Sequence, residues 1–228
     1  MKVLIFGATG MVGQGVLREC LLSSDVELVA TIGRTPASSS LTGSQPAVWR
    51  QILHSNLSDL TDLQAELRGF DACFFTLGVS SSGMKEADYE RITYDLTISA
   101  AGTLSRINPG MVFIYVSGAG TASTEKARVM WARVKGRTEN ALLRLPLNAF
   151  MFRPGIIQPL DSIRSKTPSY RLGYTLMKPL LPVLHWALPK QVLSTREIGR
   201  AMLAVARRGY AKRVLETKDI RAVVNSTP

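Results

Sequence analysis

The chain has 228 residues, enough for one well-buried hydrophobic core, and we expect a single domain over residues 1–228. Its composition of 46% hydrophobic and 20% charged residues excludes a disordered chain. The net charge of +11 is uneven, because residues 1–114 carry 8 Lys and Arg against 11 Asp and Glu, whereas residues 115–228 carry 20 against 6.

The chain begins with an apolar strand over residues 3–6, a glycine-rich turn and a helix. Glycine suits such a turn because it adopts backbone angles closed to other residues, lets a pyrophosphate approach, and lets the helix pack on the strand. The amide N–H groups that open the helix favour an anion. The pattern predicts a nucleotide site, although any tight strand-to-helix turn can use glycine. The candidate cofactor contacts here are Gly7, Thr9, Gly10, Met11, Val12 and Gly13.

Strands and helices alternate along the first two thirds of the chain. Further strands are predicted over residues 26–32, 48–53, 71–77, 111–116 and 149–152. Helices are predicted from a cap at Ser58 to Arg68, and over residues 85–107 and 124–144. Such alternation predicts an α/β fold with a parallel, doubly wound sheet. Ligands of such sheets gather at the carboxyl ends of the strands.

The alternation stops after Gly155. Residues 156–192 are rich in proline and apolar side chains and predict a small C-terminal insertion on the substrate side of the site. Ordinary packing over the site, contact with a membrane surface and contact with a second subunit remain open for this segment. Thr195 is predicted to cap a helix that runs to Arg207, and residues 214–216 predict a last edge strand.

Several motifs together carry a family resemblance. They are the Gly7, Gly10 and Gly13 spacing, Arg34 after the second strand, Asn56-Leu57 after the third, Ser117 after the fifth, Lys135 on the next helix and Arg153-Pro154-Gly155 after the sixth. Over residues 1–216 the chain resembles the short-chain dehydrogenases/reductases. More narrowly, it is similar to the atypical NAD(P)-binding group that includes the NmrA-like and Tat-interacting-protein-like proteins. The resemblance implies a Rossmann-type fold that binds NADP or NAD.

The end of the second strand predicts which of these cofactors is preferred. NAD sites place an acidic residue there to hold the ribose 2′-hydroxyl, whereas NADP sites place an arginine near the extra phosphate. This sequence has Gly33-Arg34-Thr35 and no Asp or Glu. We therefore expect NADP(H) to be the cofactor and NAD(H) to be disfavoured. The alternative is that Arg34 is an ordinary surface arginine.

Asn56 stands where many members of this family carry an aspartate beside the adenine. Its side-chain carbonyl can accept from the adenine amino group, but asparagine after a strand is also common for the turn alone. The resemblance implies further cofactor contacts from Leu57, Leu77, Gly78, Lys135 and Pro154.

The catalytic pattern departs from the family. Its reductases use a tyrosine as acid, a lysine four residues later on the same helix face, and a serine that polarises the substrate carbonyl. Here the pair is Trp131 and Lys135, and an indole N–H cannot serve as this acid. Ser117, Lys135 and Trp131 remain candidate catalytic-site residues, with Tyr94 as a relocated acid. The alternatives are a turn serine and a solvated lysine, and Tyr115 is expected in the core.

The sequence leaves three functions open. The first is an NADPH-dependent oxidoreductase acting on a small carbonyl-type substrate, and the second is a non-catalytic, nucleotide-sensing regulator with a protein partner. Nucleic-acid binding is disfavoured because the basic residues are dispersed and no recognition motif occurs. Cys20 and Cys73 form no metal or redox motif, and no 18-residue apolar run occurs. We therefore expect reduced cysteines, no transmembrane span and a cytoplasmic location. The oligomeric state is left open.

Overall fold

The computed structural model describes residues 1–39, 41, 46–161 and 191–226. The described strands are β1 (Lys2–Phe6), β2 (Leu28–Gly33), β3 (Val48–Leu53), β4 (Ala72–Phe75), β5 (Val112–Val116), β6 (Asn148–Arg153), β7 (Ile156–Gln158), β8 (Val192–Ser194) and β9 (Val214–Glu216). Seven of them form the main sheet in the order β3-β2-β1-β4-β5-β6-β9, and every neighbouring pair is parallel. The order reverses between β1 and β4, which confirms the predicted doubly wound, Rossmann-type fold.

Helices cover both faces of this sheet. They are α1 (Met11–Leu22), α2 (Glu86–Glu90), α3 (Leu96–Ile107), α4 (Met130–Leu143), α5 (Thr195–Arg208) and α6 (Thr217–Asn225). A π-helical turn, Arg91–Asp95, joins α2 to α3, so the predicted helix over residues 85–107 is present with this irregularity.

The core lies in two layers, one on each side of the sheet. Val3 and Ile5 face the layer that includes α1, α5 and α6, whereas Leu4 and Phe6 face the layer that includes α3 and α4. Successive strand residues point to opposite faces, so a strand buried on both sides must be apolar throughout. This explains why β1 appears in the sequence as an uninterrupted apolar run. Cys20 and Cys73 are free and buried in these layers, as predicted.

The predicted helix from Ser58 to Arg68 is wrong. The structure has only a short 3₁₀ turn there, Thr61–Leu63. The Asp59 carboxylate accepts hydrogen bonds from both the backbone N–H (3.0 Å) and the hydroxyl (2.6 Å) of Thr61. Such local side-chain bonds compete with helix formation, and a short segment cannot recover the nucleation cost by itself.

Two other helix starts differ from the prediction. The helix predicted over residues 124–144 begins only at Met130, because Glu125 has a left-handed backbone (φ 60°) that a helix cannot contain. In α5 the cap is Ser194, one residue before the predicted Thr195. The Ser194 hydroxyl accepts from the Glu197 N–H, and the Glu197 carboxylate accepts from the Ser194 N–H.

The predicted insertion, residues 156–192, lies for the most part outside the described residues. Its two described ends form the parallel pair β7 and β8, which the sequence analysis did not predict. The predicted edge strand over residues 214–216 is confirmed as β9 beside β6, and the helix α6 that follows it was missed.

Candidate functional site

The switch point of the sheet lies at the carboxyl end of β1, where the glycine turn leads into α1. Gly7 has φ +81°, and a Cβ there would lie 2.5 Å from the backbone nitrogen of Leu77. A Cβ at Gly13 would lie 2.1 Å from the Gly7 carbonyl oxygen. Gly10 donates its N–H to that same oxygen at 2.9 Å. The first and third glycines are therefore required by close packing of the turn, β4 and α1.

The N-terminus of α1 carries no negative group of its own. Its cap residue, Gly10, provides no side-chain hydrogen bond, and the first turn contains no acidic residue. Thr9, Met11 and Val12 are half-buried around this turn. A helix start with uncapped N–H groups attracts an anion through both hydrogen bonding and the helix dipole. The arrangement can hold a pyrophosphate.

Gly13→Ala is expected to destabilise the protein and to weaken dinucleotide binding, because the added methyl overlaps the Gly7 carbonyl and α1 must shift. We expect a loss of about 1–3 kcal/mol in the free energy of unfolding. Gly102→Ala in α3 is the control, since among the described residues its Cβ would meet only the end of Arg106, at 3.9 Å. Removal of a mid-helix glycine should be neutral or stabilising. Urea denaturation of both variants measures the effects, and equal stabilities of the two would contradict this description of the turn.

Arg34 follows β2 and is exposed, and no hydrogen bond or ion pair of its side chain is found within the described ranges. Asn56 is also exposed, but its side-chain oxygen accepts the Ser58 N–H at 3.2 Å, so part of its hydrogen-bonding capacity serves the turn. Leu57 is a core residue. Leu77 is half-buried, whereas a Cβ at Gly78 would meet nothing within 4 Å.

Ser117 lies at the carboxyl end of β5 and is buried. Its hydroxyl donates to the Glu139 carboxylate and lies 3.2 Å from the carbonyl oxygen of Phe152. Both partners are acceptors, so the single hydroxyl proton is held inside the protein in either orientation. Ser117 therefore has no free hydroxyl proton to donate to a ligand at this strand end.

Glu139 forms a buried ion pair with Arg153 of β6. The Arg153 Nε donates to Glu139 at 3.0 Å, and its Nη2 contacts the second carboxylate oxygen. The guanidinium also donates to Glu216 (3.1 Å) and to the Ser123 hydroxyl (2.7 Å). The hydrogen bonds to Glu139 raise the pKa of Arg153. Pro154 follows at the same strand end and is buried, and its carbonyl accepts from Ala119 (2.9 Å).

Glu139 was not predicted as a site residue, although the sequence contains a signal for it. Trp131, Lys135 and Glu139 are spaced four residues apart along α4, and this spacing predicts one helix face. What the sequence did not reveal is that Arg153, quoted only as part of a motif, meets this face from β6.

Lys135 is half-buried, and its Nζ donates to the backbone carbonyl of Ser117. The same nitrogen lies 5.9 Å from the centroid of the Tyr115 ring. Desolvation by burial lowers the pKa of the Lys135 amine to about 8, and the Glu139 carboxylate partly opposes this shift. Lys135 and Ser117 are thus brought together at the end of β5.

The other two candidates for catalysis, Trp131 and Tyr94, contact other parts of the protein. Trp131 is half-buried, and a Cβ at Gly120 would lie 3.3 Å from its ring, so the indole covers the loop after β5. Tyr94 lies under the Arg137 guanidinium, with 4.3 Å between that group and the ring centroid, and Arg137 also pairs with Glu90. Tyr94 therefore belongs to the contact between the π-helical turn and α4. Tyr115 is 1% exposed and part of the core, as predicted.

Several solved structures share this fold. UDP-N-acetylglucosamine 4-epimerase from Methanobrevibacter ruminantium M1, in complex with UDP-N-acetylmuramic acid, matches with a TM-score of 0.68 and 15% identity over 94% of this chain and 75% of that one. MoeE5 in complex with UDP-glucose and NAD matches with a TM-score of 0.67 and 16% identity over 95% and 75%. WbmF of Bordetella bronchiseptica, in complex with NAD⁺, matches with a TM-score of 0.64 and 16% identity over 98% and 77%.

The chain therefore has the Rossmann-type fold that these proteins share. The resemblance to the atypical short-chain dehydrogenases/reductases stated from the sequence is thereby confirmed at the level of the fold. No protein-family model matches the chain.

Two curated relatives contradict the expected location. Protein FMP52 of Debaryomyces hansenii is 23% identical over 163 residues, 69% of this chain and 67% of that protein. Protein FMP52-2 of Scheffersomyces stipitis is 26% identical over 179 residues, 74% of this chain and 72% of that protein. Both are named as mitochondrial, so the prediction of a cytoplasmic location is wrong.

Among the described residues, no helix is long and apolar enough to cross a membrane. The same residues contain no group of His, Cys, Asp and Glu side chains that could hold a metal ion.

Proposed function

We propose that the protein binds NADPH along the carboxyl edge of the main sheet and uses it to reduce a small carbonyl-type substrate. The observation that carries this proposal is the glycine turn at the switch point, where Gly7 and Gly13 permit close packing and the start of α1 is uncapped and free of acidic residues. In this proposal the turn holds the pyrophosphate through backbone N–H groups. The bound cofactor supplies hydride.

The remaining cofactor contacts in this proposal come from residues that lie at or near the carboxyl ends of the strands. Arg34 would pair with the 2′-phosphate, and the turn at Asn56 and Leu57 would border the adenine. Lys135 would lie near the nicotinamide end, since it is fixed at the end of β5 beside Ser117. The substrate would then be bounded by this strand end and by Trp131. From the names of the two relatives, we extend a mitochondrial location to this chain.

Arg34→Ala is expected to weaken NADPH binding about ten- to a hundredfold and to leave NADH binding nearly unchanged. The reason is that a charge-assisted contact to the 2′-phosphate contributes on the order of 1.5–3 kcal/mol, and NADH lacks that phosphate. Isothermal titration calorimetry with both cofactors measures the effect. Arg68→Ala is the matched control. Arg68 is also exposed, but it lies just before β4, at the amino ends of the strands and away from the proposed cofactor site. Equal affinities of the wild type for NADPH and NADH would contradict the proposed preference.

A second function, a non-catalytic sensor of bound NADPH, is favoured by two specific observations. Trp131 replaces the tyrosine of the family's acid, and the hydroxyl proton of Ser117 is held by Glu139. NADPH absorbance during incubation with aldehydes, ketones and quinones distinguishes the two functions. Tight binding of NADPH with no oxidation by any of these compounds would support the sensor.

A further inference from the structure

A carbonyl reduction needs a proton for the developing alkoxide, and most protic side chains at this edge cannot supply one. The proton of Ser117 is held between Glu139 and the Phe152 carbonyl. The indole of Trp131 does not ionise usefully near neutral pH. Both side chains can shape the site, but neither can act as the acid.

The nearby tyrosines are also excluded as donors. Tyr89 and Tyr115 are each 1% exposed, and burial raises the pKa of the Tyr115 phenol well above the ordinary range. A buried phenol of this kind neither reaches a substrate nor releases its proton readily. The ring of Tyr94 is covered by Arg137, which is two residues from Lys135 in α4 and so projects from the opposite face of that helix.

Lys135 differs from all of these groups. Its side chain is half-buried, and its ammonium has three N–H donors, of which the recorded bond to the Ser117 carbonyl uses one. The titratable and charged groups around it are Glu139 on its own helix, Tyr115 on β5, Tyr89 of α2 beside Tyr115, and Arg153 of β6 paired with Glu139. Lys135 is thus the one described side chain here that both reaches the strand end and has protons to give.

We propose that Lys135 donates the proton in the reduction, in place of a tyrosine. This inference rests on the proposed function. The bound cofactor would supply hydride to the carbonyl carbon, and the electron pair of the carbonyl π bond would move to the oxygen. That oxygen takes a proton from Lys135 Nζ, and the electrons of the broken N–H bond remain on the amine. The products are the alcohol and NADP⁺, and the amine regains a proton from water.

If Lys135 is the donor, the turnover number should fall as pH rises. The ammonium is the active form, and burial lowers the pKa of Lys135 to about 8. The turnover number should therefore be constant below this pH and fall about tenfold per pH unit above it. A lysine that only held the cofactor ribose would affect NADPH affinity and would not produce this decline in turnover.

The test measures kcat and KM from pH 6 to pH 10 with NADPH and a small aldehyde, together with NADPH affinity from the protein's fluorescence. Lys135→Met should lower kcat about a hundredfold or more and abolish the alkaline decline, with a smaller change in NADPH affinity. Lys135→Arg should retain NADPH binding but remain slow at every pH, because a guanidinium does not release its proton in this range. Lys126→Met, at an exposed lysine before α4, should behave as the wild type.

These measurements distinguish a failure of the Lys135 inference from a failure of the proposed reduction. If Lys135→Met keeps the wild-type kcat and its decline near pH 8, another group is the donor and the inference is overturned while the proposed function stands. If NADPH affinity falls but the turnover number at saturating cofactor and its pH profile do not change, Lys135 only holds the cofactor. If the wild type binds no NADPH, or binds it without oxidising it, the proposed reduction itself is wrong and the inference falls with it.

Discussion

Trp131→Tyr is expected to raise NADPH-dependent reduction of small carbonyl compounds, with a gain in kcat of about a hundredfold. The substitution puts a phenol four residues before Lys135 on the same face of α4. A lysine at that spacing lowers the phenol pKa through its charge and so prepares it as an acid. The substitution also removes side-chain bulk, because the indole of Trp131 covers the loop after β5 near Gly120. The wild type should oxidise NADPH slowly.

Trp131→Phe is the control for this prediction, since it reduces the bulk without adding an acid. If space alone limits the wild type, phenylalanine and tyrosine should give the same gain. If the added acid matters, kcat of Trp131→Tyr should clearly exceed kcat of Trp131→Phe. The wild type and both variants should bind NADPH with similar affinity. Rapid wild-type turnover that is lost in Trp131→Tyr would mean that the indole belongs to a working site, and our interpretation of position 131 would be wrong.

Arg153→Met should lower the free energy of unfolding by about 3–5 kcal/mol, the largest stability change we expect from one substitution. The side chain of Glu139 is 1% exposed and that of Arg153 is 9% exposed, so loss of the guanidinium leaves a buried carboxylate without its charge partner. The Glu139–Arg153 ion pair links α4 to β6. In the double variant Arg153→Met/Glu139→Met, an apolar contact replaces the pair, and most of the lost stability should return.

Urea denaturation measures these effects, and Arg91→Met is the matched control. Arg91 pairs with Asp88 at the surface, where the two side chains are 73% and 52% exposed. A pair in that setting contributes less than about 1 kcal/mol. Equal losses in Arg91→Met and Arg153→Met would contradict the view that burial makes the Glu139 pair important.

The sheet could be predicted from the sequence because its strands are buried on both faces. A strand in that position is a continuous apolar run between polar turns, as in β1 and β4, and even the exposed β3 was predicted at its observed bounds, Val48–Leu53. The glycine turn could be predicted for a related reason. Close approach of backbone to backbone excludes every residue with a Cβ, and this requirement is visible in the spacing of Gly7 and Gly13.

The helix predicted up to Arg68 failed because local hydrogen bonds of Asp59 outweigh a weak helical pattern. The polar cluster at the end of β5 could not be predicted for a different reason. Ser117, Glu139 and Arg153 come from a strand end, a helix and another strand, and only tertiary packing brings them together. The roles proposed for Arg34 and Asn56 stay predictions, because each depends on a bound cofactor.

The most direct test of the central claim is a crystal structure of the protein grown or soaked with NADPH. We predict the pyrophosphate against the N–H groups at the start of α1, the 2′-phosphate at Arg34, and the nicotinamide C4 facing an open pocket that Lys135 Nζ reaches. Electron density for the dinucleotide elsewhere on the protein would contradict the proposed site. A nicotinamide that faces a closed, apolar pocket without Lys135 would contradict the proposed reduction and leave the sensor as the better description.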